Sequence, residues 1–225
     1  IKYNGSDFWI PVIGGDGSYN AIDPTSDYVQ YGSYQYLNIF KSADQGNYFE
    51  DIYYLPASPF GDNPAAFLAP LVMSPSNPFV LYAGSTTLLK TSDGNQFEEV
   101  QPDPVDNGNY LLSIGVSATS EDTVYFATAP SESFPMRVFR SDDGGFTKTE
   151  ISDGLPNRYP RRISVNPLNS KEVYIVFSGF GGGHIFKTTD AGAHWMDIST
   201  ALPDLPFHCL AIDPLQPKNI YAGCD

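Results

Sequence analysis

One phrase that returns four times limits what this chain can fold into more than any other feature. It is clearest at Phe186-Lys187-Thr188-Thr189-Asp190-Ala191-Gly192-Ala193-His194-Trp195. Phe40 to Phe49 and Phe139 to Thr147 match it at S/T-x-D-x-G, and Leu89 to Phe97 matches it one residue short. The aspartates stand at 44, 93, 143 and 190, in steps of 49, 50 and 47 residues. A steady period in this range marks supersecondary units that are too small to bury an apolar face alone and that stack on their neighbours.

The phrase reads as a tight turn. A strand ends at Ser or Thr, the carboxylate accepts from the amides that follow, Gly takes a left-handed conformation, and an aromatic opens the next strand. A second register interlocks with it. Eight residues after Asp23, Ser74, Ser117, Asn166 and Asp213 stand Tyr31, Tyr82, Tyr125, Tyr174 and Tyr221. Pro24, Pro75, Pro167 and Pro214 follow four of these starting residues, so each apolar run closes on a turn. Each repeat then divides into four short strands. In the fourth these are expected near 161–165, 172–178, 184–188 and 194–198.

Four antiparallel strands at this period, without helical periodicity, predict an all-β fold, a β-propeller of four-stranded blades. The chain is expected to be one domain over 1–225, with repeats at about 13–60, 61–105, 106–155 and 156–203. Residues 204–225 and 1–12 are expected to share a fifth blade, giving a five-bladed ring latched by both termini. The alternative is an arc of a larger propeller. The Pro turns and the aspartate turns fall on one face, which leaves the longer loops on the other for binding.

The turn phrase resembles the Asp-box, or BNR, repeat of sialidases, of the sortilin-type receptor domain and of some glycoside hydrolases, over nearly the whole chain. In those families the box is a structural turn remote from the catalytic centre. The resemblance therefore implies a structural role for Asp44, Asp93, Asp143 and Asp190.

Charge and composition narrow the partners. A net charge of -14 argues against nucleic acid and anionic membrane. Fifteen Tyr and fifteen Phe suit short half-buried strands, and no apolar run reaches the length of a membrane span. Calcium is compatible with the surplus of Asp, although no EF-hand-type loop is present, and the histidines have no metal-ligand spacing. No other cofactor is implied.

Three constellations fall on the loop face. Ile13-Gly14-Gly15-Asp16-Gly17 resembles the glycine-rich segment before a first blade in many Asp-box proteins, with Asp16 either a ligand or catalytic group or satisfied by neighbouring amides. Arg158-Tyr159-Pro160-Arg161-Arg162 is the densest positive patch, either an anion site or a salt-bridged cluster. Sialidases take a substrate carboxylate with arginines from different blades, and that triad is not assembled here. Ser178-Gly179-Phe180-Gly181-Gly182-Gly183-His184 offers an aromatic beside the loop carboxylates Asp62, Asp106, Asp153 and Asp204. Asp16 and Asp153 are the weak candidates for catalytic carboxylates. Asp16, Arg158, Tyr159, Arg161, Arg162, Phe180 and His184 are the candidates for ligand contact.

Three functions fit these features. The first is a non-catalytic secreted or surface propeller that binds a glycan or a protein. The second is a glycoside hydrolase related to the two-propeller xyloglucan-cleaving enzymes. The third is an assembly factor like the Asp-box propeller that helps build photosystem II. The antiparallel register that pairs Ile212 with Tyr221 also pairs Cys209 with Cys224 and predicts a disulfide, which favours an extracytoplasmic location. Asn4-Gly5-Ser6 is an N-glycosylation sequon.

Overall fold

The strands fall where the periodicity places them. A computed structural model describes residues 2–3, 5, 7–55, 65–100 and 103–225. Two short strands, β1 (Lys2–Tyr3) and β2 (Trp9–Ile10), pair with each other. The first blade is β3 (Gly17–Ile22), β4 (Gln30–Tyr34), β5 (Asn38–Ser42) and β6 (Glu50–Tyr53). The second is β7 (Leu71–Met73), β8 (Leu81–Gly84), β9 (Leu88–Thr91) and β10 (Glu98–Glu99). The third is β11 (Leu111–Val116), β12 (Val124–Thr128), β13 (Val138–Ser141) and β14 (Thr149–Glu150). The fourth is β15 (Pro160–Asn166), β16 (Asn169–Phe177), β17 (Ile185–Thr188) and β18 (Met196–Asp197), followed by the half blade β19 (Phe207–Ile212) and β20 (Ile220–Cys224). All neighbouring strands are antiparallel and paired in chain order, and no described residue is helical.

Hydrophobic burial lies between blades. Each of four clusters is shared by two consecutive blades, as where Tyr82 and Leu88 of the second pack against Leu111, Phe126 and Phe139 of the third. No blade could bury this surface alone, which is the physical reason for the repeat. The first strand of every blade faces a common channel, with Val72, Ile114, Arg162 and Leu210 among the residues along it.

The repeated tyrosines tie each blade to the next. Tyr31 donates to the Gly94 carbonyl at 3.0 Å, Tyr82 to that of Glu121 at 2.8 Å, and Tyr125 to that of Ser170 at 2.8 Å. Each tyrosine faces a cation across the strand pair: Tyr31 faces Lys41, Tyr82 faces Lys90, and Tyr125 faces Arg140. Lys41 lies over its tyrosine ring and reaches Asn95 Oδ1 at 2.6 Å, and Lys90 reaches Asp122 at 2.8 Å. Burial pushes the Tyr31 and Tyr125 hydroxyls up to about 12, so they remain donors. At the fourth position the device turns inward, with Tyr174 and Lys187 both bonding Glu172 of their own blade.

Among the described residues the two halves of the fifth blade expected from the sequence are not joined in one sheet. β19 and β20 are a sheet of two strands, β1 and β2 another, and the blades make an open arc. The N-terminal strands do occupy the place of a preceding blade. Lys2 donates to Gln45 O at 2.9 Å and to Asn47 Oδ1 at 2.7 Å, much as Lys41 meets Asn95 one blade later.

Candidate functional site

The four aspartates are spent on their own turns. Asp44 Oδ1 accepts from Ser42 Oγ at 2.7 Å and from the amides of Asn47 and Tyr48 at 3.0 Å. Asp93 accepts from the amides of Asn95 and Gln96, and Asp143 from the amide and hydroxyl of Thr147. Asp190 takes the His194 amide at 2.9 Å and bonds His194 Nδ1 at 2.7 Å. In three of the turns the Ser or Thr two residues earlier accepts the amide of the turn glycine, Ser42 from Gly46, Ser141 from Gly145 and Thr188 from Gly192. These donors hold all four carboxyls below the ordinary range.

On the opposite face the most developed structure is the loop from Ser178 to His184. Gly179 and Gly181 have φ of 100° and 81°, which suits glycine best and lets the chain fold back on itself. Arg158 clamps it from the neighbouring loop, donating to the carbonyls of Gly183 and Phe180. From the other side Asp204 accepts the Gly181 amide at 2.9 Å and meets His184 Nε2 at 2.9 Å. The Gly181 amide is the chief cause of an Asp204 carboxyl held below its usual value, with His184 and Arg158 adding to it. Phe180 stands 64% exposed at the tip, and Tyr159 is exposed beside the Arg158 loop.

His184 departs from the role expected of it. It is buried against Phe207, and its Nδ1 has no partner, so it holds the loop instead of meeting a ligand. Asp204 was named from sequence only as one of four loop carboxylates, and Ser199, whose hydroxyl accepts the His184 amide, was not singled out; its signal was only its place just past the last strand of the blade.

Among the described residues the loop carboxylates Asp16, Asp106, Asp153 and Asp204 do not come together in one cavity. Asp106 is buried, bonded to Thr128 Oγ1 at 2.7 Å and to Asn109, and faces Arg137 Nε at 3.5 Å. Asp153 lies in a groove between the third and fourth blades with Asp190 and Glu150, and Asp16 lines none of the cavities described here. Asp16 is exposed, its backbone amide bonded to Gln35 Oε1 at 2.8 Å; its carboxylate has no partner among the described residues, so the reading in which neighbouring amides satisfy it is overturned. Asp62 and the Asn4 sequon lie outside the described residues.

Two further expectations need correction. Arg161 and Arg162 have no ion-pair or hydrogen-bond partner among the described residues, so they are not a salt-bridged cluster; both line the channel side of β15. Cys209 and Cys224 are free and exposed, not joined. From the turn onward the register differs by one residue from the expected one, with Ile212 facing Ile220 and Tyr221 facing Ala211, which puts Cys209 opposite Gly223; a further slip at His208 puts Cys224 opposite Phe207. Among the described residues no group of three His, Cys, Asp or Glu could hold a metal ion.

Searches against family models and against curated proteins find no match. Solved structures do match. An ancestral GH74 enzyme superposes with a TM-score of 0.72 at 19% identity over 95% of this chain and 28% of its own length. The GH74 enzyme of Niastella koreensis gives 0.70 at 21% identity over 92% of this chain and 33% of its own. The extracellular domain of a hybrid two-component system from B. thetaiotaomicron gives 0.60 at 14% identity, over 94% and 28%. This chain thus spans a third or less of each of these proteins. At these identities the likeness is one of architecture: the chain is an arc of β-propeller.

Proposed function

We propose that this chain is a non-catalytic Asp-box propeller segment of an extracytoplasmic protein that binds a glycan through its loop face. The observation that carries this reading is the Phe180 loop. An exposed aromatic held between Arg158 and Asp204 offers a flat apolar surface whose ordering cost is met before a ligand arrives. A GH74 xyloglucanase from Xanthomonas campestris is among the structures of like fold, which favours a glycan over other ligands. Binding is favoured over hydrolysis because Asp106 and Asp204 are committed to structural bonds and Asp16 and Asp153 share no cavity.

A glycan array with the 225-residue chain and its Phe180→Ala variant tests this, with a reducing-sugar assay on the glycans that bind. Retention of a glycan by the parent, loss of about tenfold or more in affinity in the variant, and no sugar release are expected. Release of reducing sugar would replace the binding reading with a hydrolase. Capture of protein ligands but no glycan would replace the ligand class.

A further inference from the structure

The channel holds a concentration of positive charge that the aspartate turns and the Phe180 loop do not use. In β15 the pairing slips between Pro160 and Arg162, and in β19 between Phe207 and Cys209. The extra residues are Arg161 and His208, at matching positions on adjacent inner strands. A bulge re-aims side chains and breaks the usual alternation. Here it brings Arg161, Arg162 and His208 to the wall of one cavity of about 500 Å³. The same slip in β11, between Leu111 and Ser113, carries only Leu112, so the charge is confined to the fourth and fifth blades.

Three cavities meet along the channel, and Arg162 lines all of them. None has an Asp or Glu in its lining, although the chain carries 26 acidic residues against 12 basic. His208 is 3.2 Å from Asp225, but the two guanidiniums are unpaired among the described residues. The rest of the wall is aromatic, apolar or small: Tyr19, Tyr221, Leu210, Ala211, Ala222 and Gly223, with the Cys209 thiol.

The geometry points to a carboxylate-binding site at the loop-face end of the channel, formed by Arg161, Arg162 and His208 and suited to a carboxylate carried on a compact ring. Guanidinium forks match a planar carboxylate in two parallel hydrogen bonds. Apolar walls then favour a ring over a fully hydrated inorganic ion, and the volume admits a monocyclic acid. A sugar acid and an aromatic acid share this chemistry. The site stands apart from the Phe180 loop and holds whether or not that loop takes a glycan.

Titration calorimetry on the 225-residue chain with glucuronate, benzoate, glucose and inorganic phosphate tests the site. Saturable binding of glucuronate, benzoate or both is expected, weakening as salt rises, with glucose silent; which acid binds identifies the ring. The double variant Arg161→Ala/Arg162→Ala should lose about tenfold or more in affinity, and Lys171→Ala, an exposed cation on another strand, should lose none. Arg162→Lys keeps the charge without the fork and should fall between. It serves as the deciding variant if the double one melts early. The proposal is overturned if no carboxylate saturates, if phosphate binds as tightly as the acids, or if the arginine variants bind as the parent does.

Discussion

Single carboxylates set how this protein responds to acid. The largest cause of the lowered pKa is the Tyr48 amide at Asp44, the Gln96 amide at Asp93, the Thr147 amide at Asp143 and the His194 side chain at Asp190. A carboxyl depressed in the folded state adds stability that is complete above its unfolded pKa, near 3.8, and is lost as pH falls through the lower folded value. The melting temperature, followed by circular dichroism, should therefore hold from neutral pH down to about 4 and drop below it. Asp190→Asn should melt lower than the parent at pH 7 and lose less on acidification, and an identical acid profile would contradict this. The hydrogen bonds within these turns were legible because donor, acceptor and glycine stand at fixed spacing in one short phrase. The partners of Arg158 and His184 were not, since they come from other loops.

Among the strands, the fourth repeat was read to within about three residues at every boundary; its second strand, Asn169–Phe177, begins earlier than the expected 172. The cysteines show where such reading stops. The turn from Asp213 to Asn219 sets Ile212 opposite Ile220 and not Tyr221, a difference of one residue that the turn's sequence does not record, so Cys209 faces Gly223 and the two cysteines do not meet. Two thiols per chain should react with a thiol-specific dye in the folded protein, and reductant should leave the melting temperature unchanged. The tyrosine register was visible in sequence, but the hydroxyl's acceptor was not, because it lies about 40 to 60 residues away. Tyr125→Phe removes the bond to Ser170 while keeping the ring, and should cost about 1 kcal/mol in a denaturant titration.

For the whole molecule, the number of blades in a closed ring is a sum of small rotations between neighbours, and no local phrase records that sum. This is why repeat content was readable while closure by the two termini was not. The joints between blades also differ in compliance. The first three are stopped by a tyrosine hydroxyl bonded across the gap, whereas at the fourth Tyr174 bonds back to Glu172 and leaves the joint to apolar contact and the weaker Ser164 hydroxyl bond to the Leu210 carbonyl at 3.2 Å. A curved strip with three stiff hinges and one soft one flexes at the soft one, so the amides of β19 and β20 should exchange faster than those of β8 or β12 in deuterium exchange. Arg161 and His208 sit on opposite leaves of that soft hinge. A ligand gripping both would act as a brace, and bending of the arc would change the grip.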